Sequence, residues 1–334
     1  MRIKDIAREA GVSTATVSHV INKTKYVSDP TRERVEQAIK KFDYHPNTHA
    51  QSLALGRSKI IGLLVSDISN PFFPEVIKSV EAAVIAAGYN LFLLNTNYES
   101  DRTIEYIQRL VQMKVAGIIL MTAEFDEALI REAKRKKTSF VFQDLGFVGE
   151  KVSNIILDYA VGIDEAVEHL VSLGHKRIAH IAGSHEIFSA EIRRKAFIDS
   201  MKRHLPGGKQ PKIYEGDFRF EGGRAAAKKA LAENERPTAV VVANDLMALG
   251  AMQEFKSAGL HVPNDISVVG FDDISFSTLS EPALTTVYSP RVEFGQQAVE
   301  ALMLTINTPH QQGIEMRLPT YLIKRGSTAP PPKK

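Results

Sequence analysis

The chain has 334 residues, 24% of them charged and 44% hydrophobic, with a net charge of +3; that is ordinary globular composition with room for about two or three domains. No apolar run approaches the ~18 residues of a membrane span, and Met1-Arg-Ile-Lys-Asp5 lacks the apolar core of a signal peptide, so a cytoplasmic protein is expected. The lack of cysteine excludes disulfides and thiolate metal sites.

Charge is unevenly spread. Residues 1–60 hold 11 Lys/Arg against 6 Asp/Glu, so the head carries +5 and the other 274 residues −2. A basic head on a slightly acidic body is the footprint of phosphate binding, although a solvated surface produces the same count.

Ile3, Ile6, Ala7 and Ala10 recur at helical spacing, and Gly11 offers the left-handed cap that stops such a helix. Ser13 is the expected cap of a second helix, with Val17, Val20 and Ile21 on its inner face and Asn22 at its end. Ser28 is the expected cap of a third, with Pro30 in its first turn and Val35, Ala38, Ile39 and Phe42 facing the other two. Three such helices in about 45 residues form a helix-turn-helix unit whose second helix would enter a major groove. On that helix Thr14, Ala15, Ser18 and His19 lie off the apolar face. A threonine hydroxyl, a histidine donor for guanine N7 or O6, and an alanine methyl against thymine are what a groove reader uses. A small helical bundle with a polar surface is the alternative.

Beyond it, His45-Pro46 requires an extended residue before the proline. Asn47 can then cap a helix over Thr48–Leu55, ended by Gly56. So short a helix falls below the ~12–15 residues at which isolated helices become marginal, so it needs a partner to fold. Leu53 has little to pack on locally and can act as a wedge between minor-groove base steps. Unstacking costs a few kcal/mol, whereas burying a leucine returns roughly 1.5–3, so the wedge requires further contacts or a second copy. The alternative is an ordinary linker.

Three stretches together resemble the DNA-binding head of the LacI/GalR family of bacterial repressors: Ile3-Lys-Asp-Ile-Ala7, Gly11-Val-Ser-Thr-Ala-Thr-Val-Ser-His-Val-Ile-Asn22 and Pro46-Asn-x-x-Ala-x-Ser-Leu53. Val17 to Val27 is especially similar to the purine- and ribose-type members. The resemblance implies that Thr14–Ile21 is the recognition helix, with Thr14, Ala15 and His19 facing bases and Ser18 within the DNA-binding set. It implies that Thr48–Leu55 is a hinge helix and Leu53 its intercalating lever. Lys25, Tyr26, Asn47, Ala50, Gln51 and Ala54 complete the implied DNA-facing set. Gln51 stands where the family often has arginine, and Ala54 where it sometimes has lysine.

From Lys59 onward strands alternate with helices. Ile60–Val65, Tyr89–Leu94, Gly117–Met121 and Ser139–Phe142 read as strands; Glu75–Ala87, Asp101–Lys114 and Glu127–Lys136 read as helices between them. A second series follows in Arg177–Ile181, a helix around Arg193–His204, Thr238–Ala243, Leu246–Ala258 and Ile266–Phe271. The fold class is α/β: two doubly wound parallel-sheet lobes behind the helical head, with a cleft where strand C-terminal ends converge. Near those ends stand Asn70, Phe72, Phe73, Asp144, Arg193 (opening its helix), Phe218, Asn244 and Asp272. Aromatic faces with carboxylates, amides and a guanidinium suit a sugar. Taken singly, an Asn or Asp after a strand is more often a helix cap, and a Phe more often core.

Residues 59–325 resemble the periplasmic-binding-protein-type effector domain of the same family. The resemblance implies that those eight residues contact the effector, and Gly216 to Gly223 is close to the ribose-type form. Leu145 stands where ribose binders carry arginine, and the three phenylalanines could equally stack on a purine. The expected domains are a head over 1–46 and a hinge over 47–58. The body over 59–325 then has an N-lobe (about 59–157 and 289–316) and a C-lobe (about 158–288 and 317–325), followed by a disordered tail over 326–334.

No dinucleotide-binding, phosphate-loop, zinc-protease or serine-hydrolase motif is present, and His175, His180 and His185 are poorly placed for one metal. No enzymatic activity, cofactor or metal is expected. The expectation is a homodimeric transcriptional repressor that binds a pseudo-palindromic operator and answers to a monosaccharide, ribose-like as the best single reading. A purine regulator with corepressor logic is the alternative. A sugar-binding protein without a DNA role would share the body but lack the basic head. The tail has no heptad leucines, so a dimer is expected rather than a tetramer.

Overall fold

The computed structural model of the chain describes residues 2–22, 25–44, 58–122, 138–144, 147–308 and 310–333. The chain divides into two compact units, Met1–Lys59 and Ile60–Lys334. The expected hinge helix over 48–55, with Asn47, Ala50, Gln51, Leu53 and Ala54, lies outside the described residues, as do the expected helix Glu127–Lys136 and Leu145.

The first unit contains helices α1 (Ile3–Ala10), α2 (Thr14–Asn22) and α3 (Asp29–Lys41). Gly11 adopts φ +64° and sends its N–H back to α1 carbonyls, which ends the helix. Ser13 Oγ accepts the Thr16 N–H at 3.1 Å, the cap that starts α2. Ser28 stands at the N-cap position of α3 but makes no side-chain cap; its hydroxyl donates to Thr31 Oγ1 at 3.0 Å instead. A second hydroxyl within reach outcompetes the backbone there. Ile6, Ala7, Ala10, Val17, Val35 and Ala38 form the core, with Val20, Ile21, Ile39 and Phe42 packed against it. Lys41 and Glu9 join α3 to α1 at 2.6 Å.

The second unit has two six-stranded sheets. The N-lobe sheet contains β1 (Ile60–Val65), β2 (Asn90–Asn95), β3 (Gly117–Met121), β4 (Ser139–Gln143), β5 (Val152–Asp158) and β11 (Glu315–Pro319) in the order β11-β5-β4-β3-β1-β2. All its pairings are parallel. Helices α4 (Phe72–Ala86), α5 (Ser100–Gln112) and, from late in the chain, α11 (Arg291–Asn307) belong to this lobe. The C-lobe sheet contains β6 (Ile178–Ala182), β7 (Ile213–Glu215), β8 (Ala239–Val242), β9 (Ser267–Asp272), β10 (Thr285–Tyr288) and β12 (Tyr321–Ile323) in the order β12-β10-β9-β8-β6-β7. Only its edge strand β12 runs antiparallel, a departure from the all-parallel expectation. Its helices are α6 (Tyr159–Ser172), α7 (Phe188–His204), α8 (Phe220–Leu231), α9 (Asp245–Ser257) and the short α10 (Ser275–Leu279).

The chain passes between the lobes after β5, after β10 and after β11. Thr320, buried at the third crossing, donates its hydroxyl to Asp158 O at 2.7 Å and accepts the Gly162 N–H at 3.1 Å, which ties it to the first. In each sheet the strand order reverses beside its first strand, β1 in one lobe and β6 in the other. Parallel α/β sheets open their crevices at such points.

Two expectations are corrected. Arg193 does not open its helix, because α7 begins at Phe188, directly after a turn closed by Ile187 N–H on Ser184 O at 3.1 Å. Nor is the tail disordered from residue 326. Ser327 is fully buried and its hydroxyl accepts the Thr285 N–H at 2.8 Å, while Ala329 N–H reaches Ser267 Oγ at 3.1 Å. A proline-rich segment has no helix of its own, but extended backbone docks wherever a lobe offers such partners.

Candidate functional site

In the first unit Thr14 and Ala15, at the start of α2, are exposed, and Ser18 and His19 further along it are half-buried. Beyond the helix Lys25 is exposed and Tyr26 is 87% exposed. An aromatic ring that open gains nothing from its own fold, whereas a groove or phosphate contact would use it. The inner face of α2 is held by Val17, so the face it turns outward is set by the core behind it.

In the second unit one cavity between the lobes is lined by all eight residues singled out: Asn70, Phe72, Phe73, Asp144, Arg193, Phe218, Asn244 and Asp272. From the N-lobe, Asn70 Oδ1 accepts the Phe72 N–H at 3.0 Å and so fixes the first turn of α4. That turn presents Phe72 and Phe73, edge to face at 5.3 Å. Asp144 follows β4 at φ +61°; its carboxylate accepts the Tyr159 hydroxyl at 2.6 Å, the Leu157 N–H at 2.9 Å and the Gln143 amide at 3.1 Å. Burial raises its pKa, against the opposing pull of those donors.

From the C-lobe, Arg193 lies among three rings, its guanidinium carbon 4.5 Å from Phe271, 4.7 Å from Tyr159 and 5.4 Å from Phe218. It donates to Ala243 O and stands 3.9 Å from Asp272 Oδ1. Its buried Nε has no hydrogen-bond partner among the described residues, and neither has the Thr122 hydroxyl across the cavity. Buried polar atoms without partners are costly, so both are poised for an incoming acceptor or donor. Asp272 is 4% exposed, and burial pushes its pKa up to about 7. Asn244 serves the fold first: its oxygen caps α9 through Met247 N–H at 2.9 Å, and its amide donates to Phe218 O at 3.0 Å.

The same cavity takes in Thr122, Gln143, Tyr159 and Phe188, which sequence reasoning passed over. Thr122 and Tyr159 directly follow β3 and β5, and Gln143 ends β4. The rule that found Asp144 therefore reaches them too, once β5 is recognised. Phe188 carried no such signal. Among the described residues no cluster of His, Asp and Glu could hold a metal ion, and no helix is long and apolar enough to cross a membrane.

Comparison with known proteins covers both units. Residues 2–47 match the model of bacterial regulatory proteins of the lacI family, and residues 167–328 match a periplasmic binding protein-like domain. The ribose operon repressor of Escherichia coli (strain K12) is 38% identical over 333 residues, 97% of this chain and 99% of that protein. The HTH-type transcriptional repressor PurR of Erwinia tasmaniensis is 36% identical over 332 residues, 99% of this chain and 97% of that protein. Among solved structures, the lac repressor dimer bound to operator and the anti-inducer ONPF superposes with a TM-score of 0.87 at 32% identity, covering 98% of this chain and 99% of that one.

Proposed function

The chain belongs to the lacI family of bacterial regulatory proteins, and from that premise we propose that it is a dimeric cytoplasmic repressor whose hold on a pseudo-palindromic operator is set by a ribose-like monosaccharide bound between its lobes. In this reading Thr14, Ala15, Ser18 and His19 face bases, with Lys25 and Tyr26 beside them, and Asn47, Ala50, Gln51, Leu53 and Ala54 act from the hinge. The eight cleft residues hold the effector.

The observation that carries the effector class is the balance of the cavity. Among its described lining residues one guanidinium, caged by aromatic rings, faces two carboxyl groups and three amides. Phosphate recognition asks for a surplus of cations; here acceptors outnumber them, which suits a neutral ligand with many hydroxyls. Phe72 and Phe73 offer faces to its C–H edges. The ribose operon repressor at 38% identity supports the same class.

A thermal-shift screen of pentoses, hexoses, sugar phosphates and purines tests it. D-ribose is expected to raise the melting temperature, since a ligand at 100 times its Kd adds about 2.7 kcal/mol to the native state. Arg193→Ala and Asp272→Ala should each abolish that shift. A response to hypoxanthine alone, or a ribose shift that survives both substitutions, refutes the assignment.

A further inference from the structure

We propose that Arg291 is a strut that ties the effector cavity to the α4–α11 side of the N-lobe, and that it couples occupancy of the cavity to operator binding. The inference rests on the repressor reading above and adds a residue that lies outside the cavity lining.

Arg291 is the first residue of α11, immediately after the chain has crossed from β10 into the N-lobe, and it is only 8% exposed. Its guanidinium binds in two directions. Toward the C-lobe it donates to Asp272 O, and through Nη2 to Asp273 O at 2.8 Å. Toward the N-lobe its Nε donates to Glu75 Oε2 on α4 at 2.8 Å. Few side chains can do this: a planar fork with five donors can hold two carbonyls and a carboxylate at once.

Both ends of the strut are significant. At the C-lobe end, Asp272 and Asp273 have φ of +118° and +56°, backbone that side-chain-bearing residues seldom adopt. Such geometry persists only where the surroundings over-determine it. Charge-assisted bonds from Arg291 to both carbonyls supply that constraint, and the side chain they orient is the cavity's Asp272. At the N-lobe end, α4 and α11 are packed as one body. A Cβ on Gly295 of α11 would lie 2.4 Å from Ser79 Oγ and 2.8 Å from Val80 N of α4, and Ser79 donates to Val292 O at 2.8 Å. A shift in the backbone of Asp272 thus pulls on a rigid helix pair whose first α4 turn carries Phe72 and Phe73, on the far wall of the same cavity. A ligand that draws Asp272 and the Phe72–Phe73 wall together loads the strut; opening unloads it. Coupling requires a connected element that both sites bias, and this one spans both lobes.

The test uses the full-length chain, D-ribose and a DNA duplex recovered by the wild-type protein from a randomised pool. DNA affinity is measured by fluorescence anisotropy with and without saturating D-ribose, and ribose affinity by calorimetry. The wild-type ratio of the two DNA affinities is expected within the usual ~5–150-fold range of allosteric coupling, in either direction. Arg291→Gln and Glu75→Ala are both expected to bring the ratio below about twofold. Glu75→Ala removes the acceptor of the Arg291 Nε–H but keeps the carbonyl bonds, and it should leave ribose affinity within about threefold of wild type, so it decides the matter even if Arg291→Gln folds poorly. A wild-type ratio in Glu75→Ala overturns the strut, as does loss of ribose binding in that variant, because Glu75 has no place in the cavity. A wild-type protein whose DNA affinity ignores D-ribose instead refutes the reading of the effector, a failure seen without any variant.

Discussion

Asp272 is held between Arg193 and Arg291, and burial, reinforced by Asp245, raises its pKa to about 7 against the pull of both arginines. Since that folded value exceeds the ~3.9 of an unfolded aspartate, the native state holds an extra proton between those limits. The stability that Asp272 contributes is therefore complete below about pH 4 and is lost as pH rises through about 7. Asp245, raised to about 6, acts in the same sense, whereas buried His180, lowered to about 4, costs stability as pH falls below 6.5. Comparing wild type with Asp272→Asn cancels the terms the two share. Urea unfolding from pH 5 to 8 should show the difference moving toward the variant by about 1.4 kcal/mol per pH unit up to 7. A difference that stays flat across that range would contradict the buried, partly protonated carboxyl. The identities of the cavity residues were readable because they follow strand ends. Their protonation was not, since it depends on what surrounds them.

At the scale of elements, strands β1 and β3 run over the residues their apolar patterns indicated. β5 was illegible for a physical reason. Val152–Asp158 includes Ser153 and Asn154, both fully buried, and the Ser153 hydroxyl finds its partner 161 residues away in the Ile314 N–H at 3.1 Å. The three-residue strands β7 and β12 offer no period to read. The turn between α1 and α2 was legible, because Gly11 and Ser13 act locally. A Cβ at Gly11 would meet open space, so Gly11→Ala isolates the cost of φ +64°. The variant should destabilise the head by roughly 1–2 kcal/mol and weaken DNA binding. D-ribose should still raise its melting temperature as it does in wild type; a lost ribose shift would mean that the two units do not fold independently.

For the whole molecule, the separation into a head of 59 residues and a two-lobed body predicts effects that stay on one side. Leu53→Ala should lower operator affinity and reduce DNA bending by circular-permutation assay, while ribose affinity stays within about twofold; unaltered bending would remove the lever from the proposal. A leucine wedge also needs a second copy, because burying one leucine returns less than unstacking a base step can cost. Sedimentation equilibrium is expected to show a dimer, and a tetramer would overturn that expectation.

The sequence by itself determined the family, the helical head with its polar Thr14–His19 face, the alternation that makes two α/β lobes, and the residues at the strand ends. Those properties reside in spacing of two to four residues and in local capping, which the chain carries wherever it goes. Only the tertiary structure decided that Tyr159 completes the cavity through its bond to Asp144 and that Arg291 reaches Asp272 from the other lobe. It alone also laid Ser327 into the C-lobe. Each of these joins residues far apart in the chain through buried hydrogen bonds, and no local pattern records which distant partner will satisfy a buried polar group.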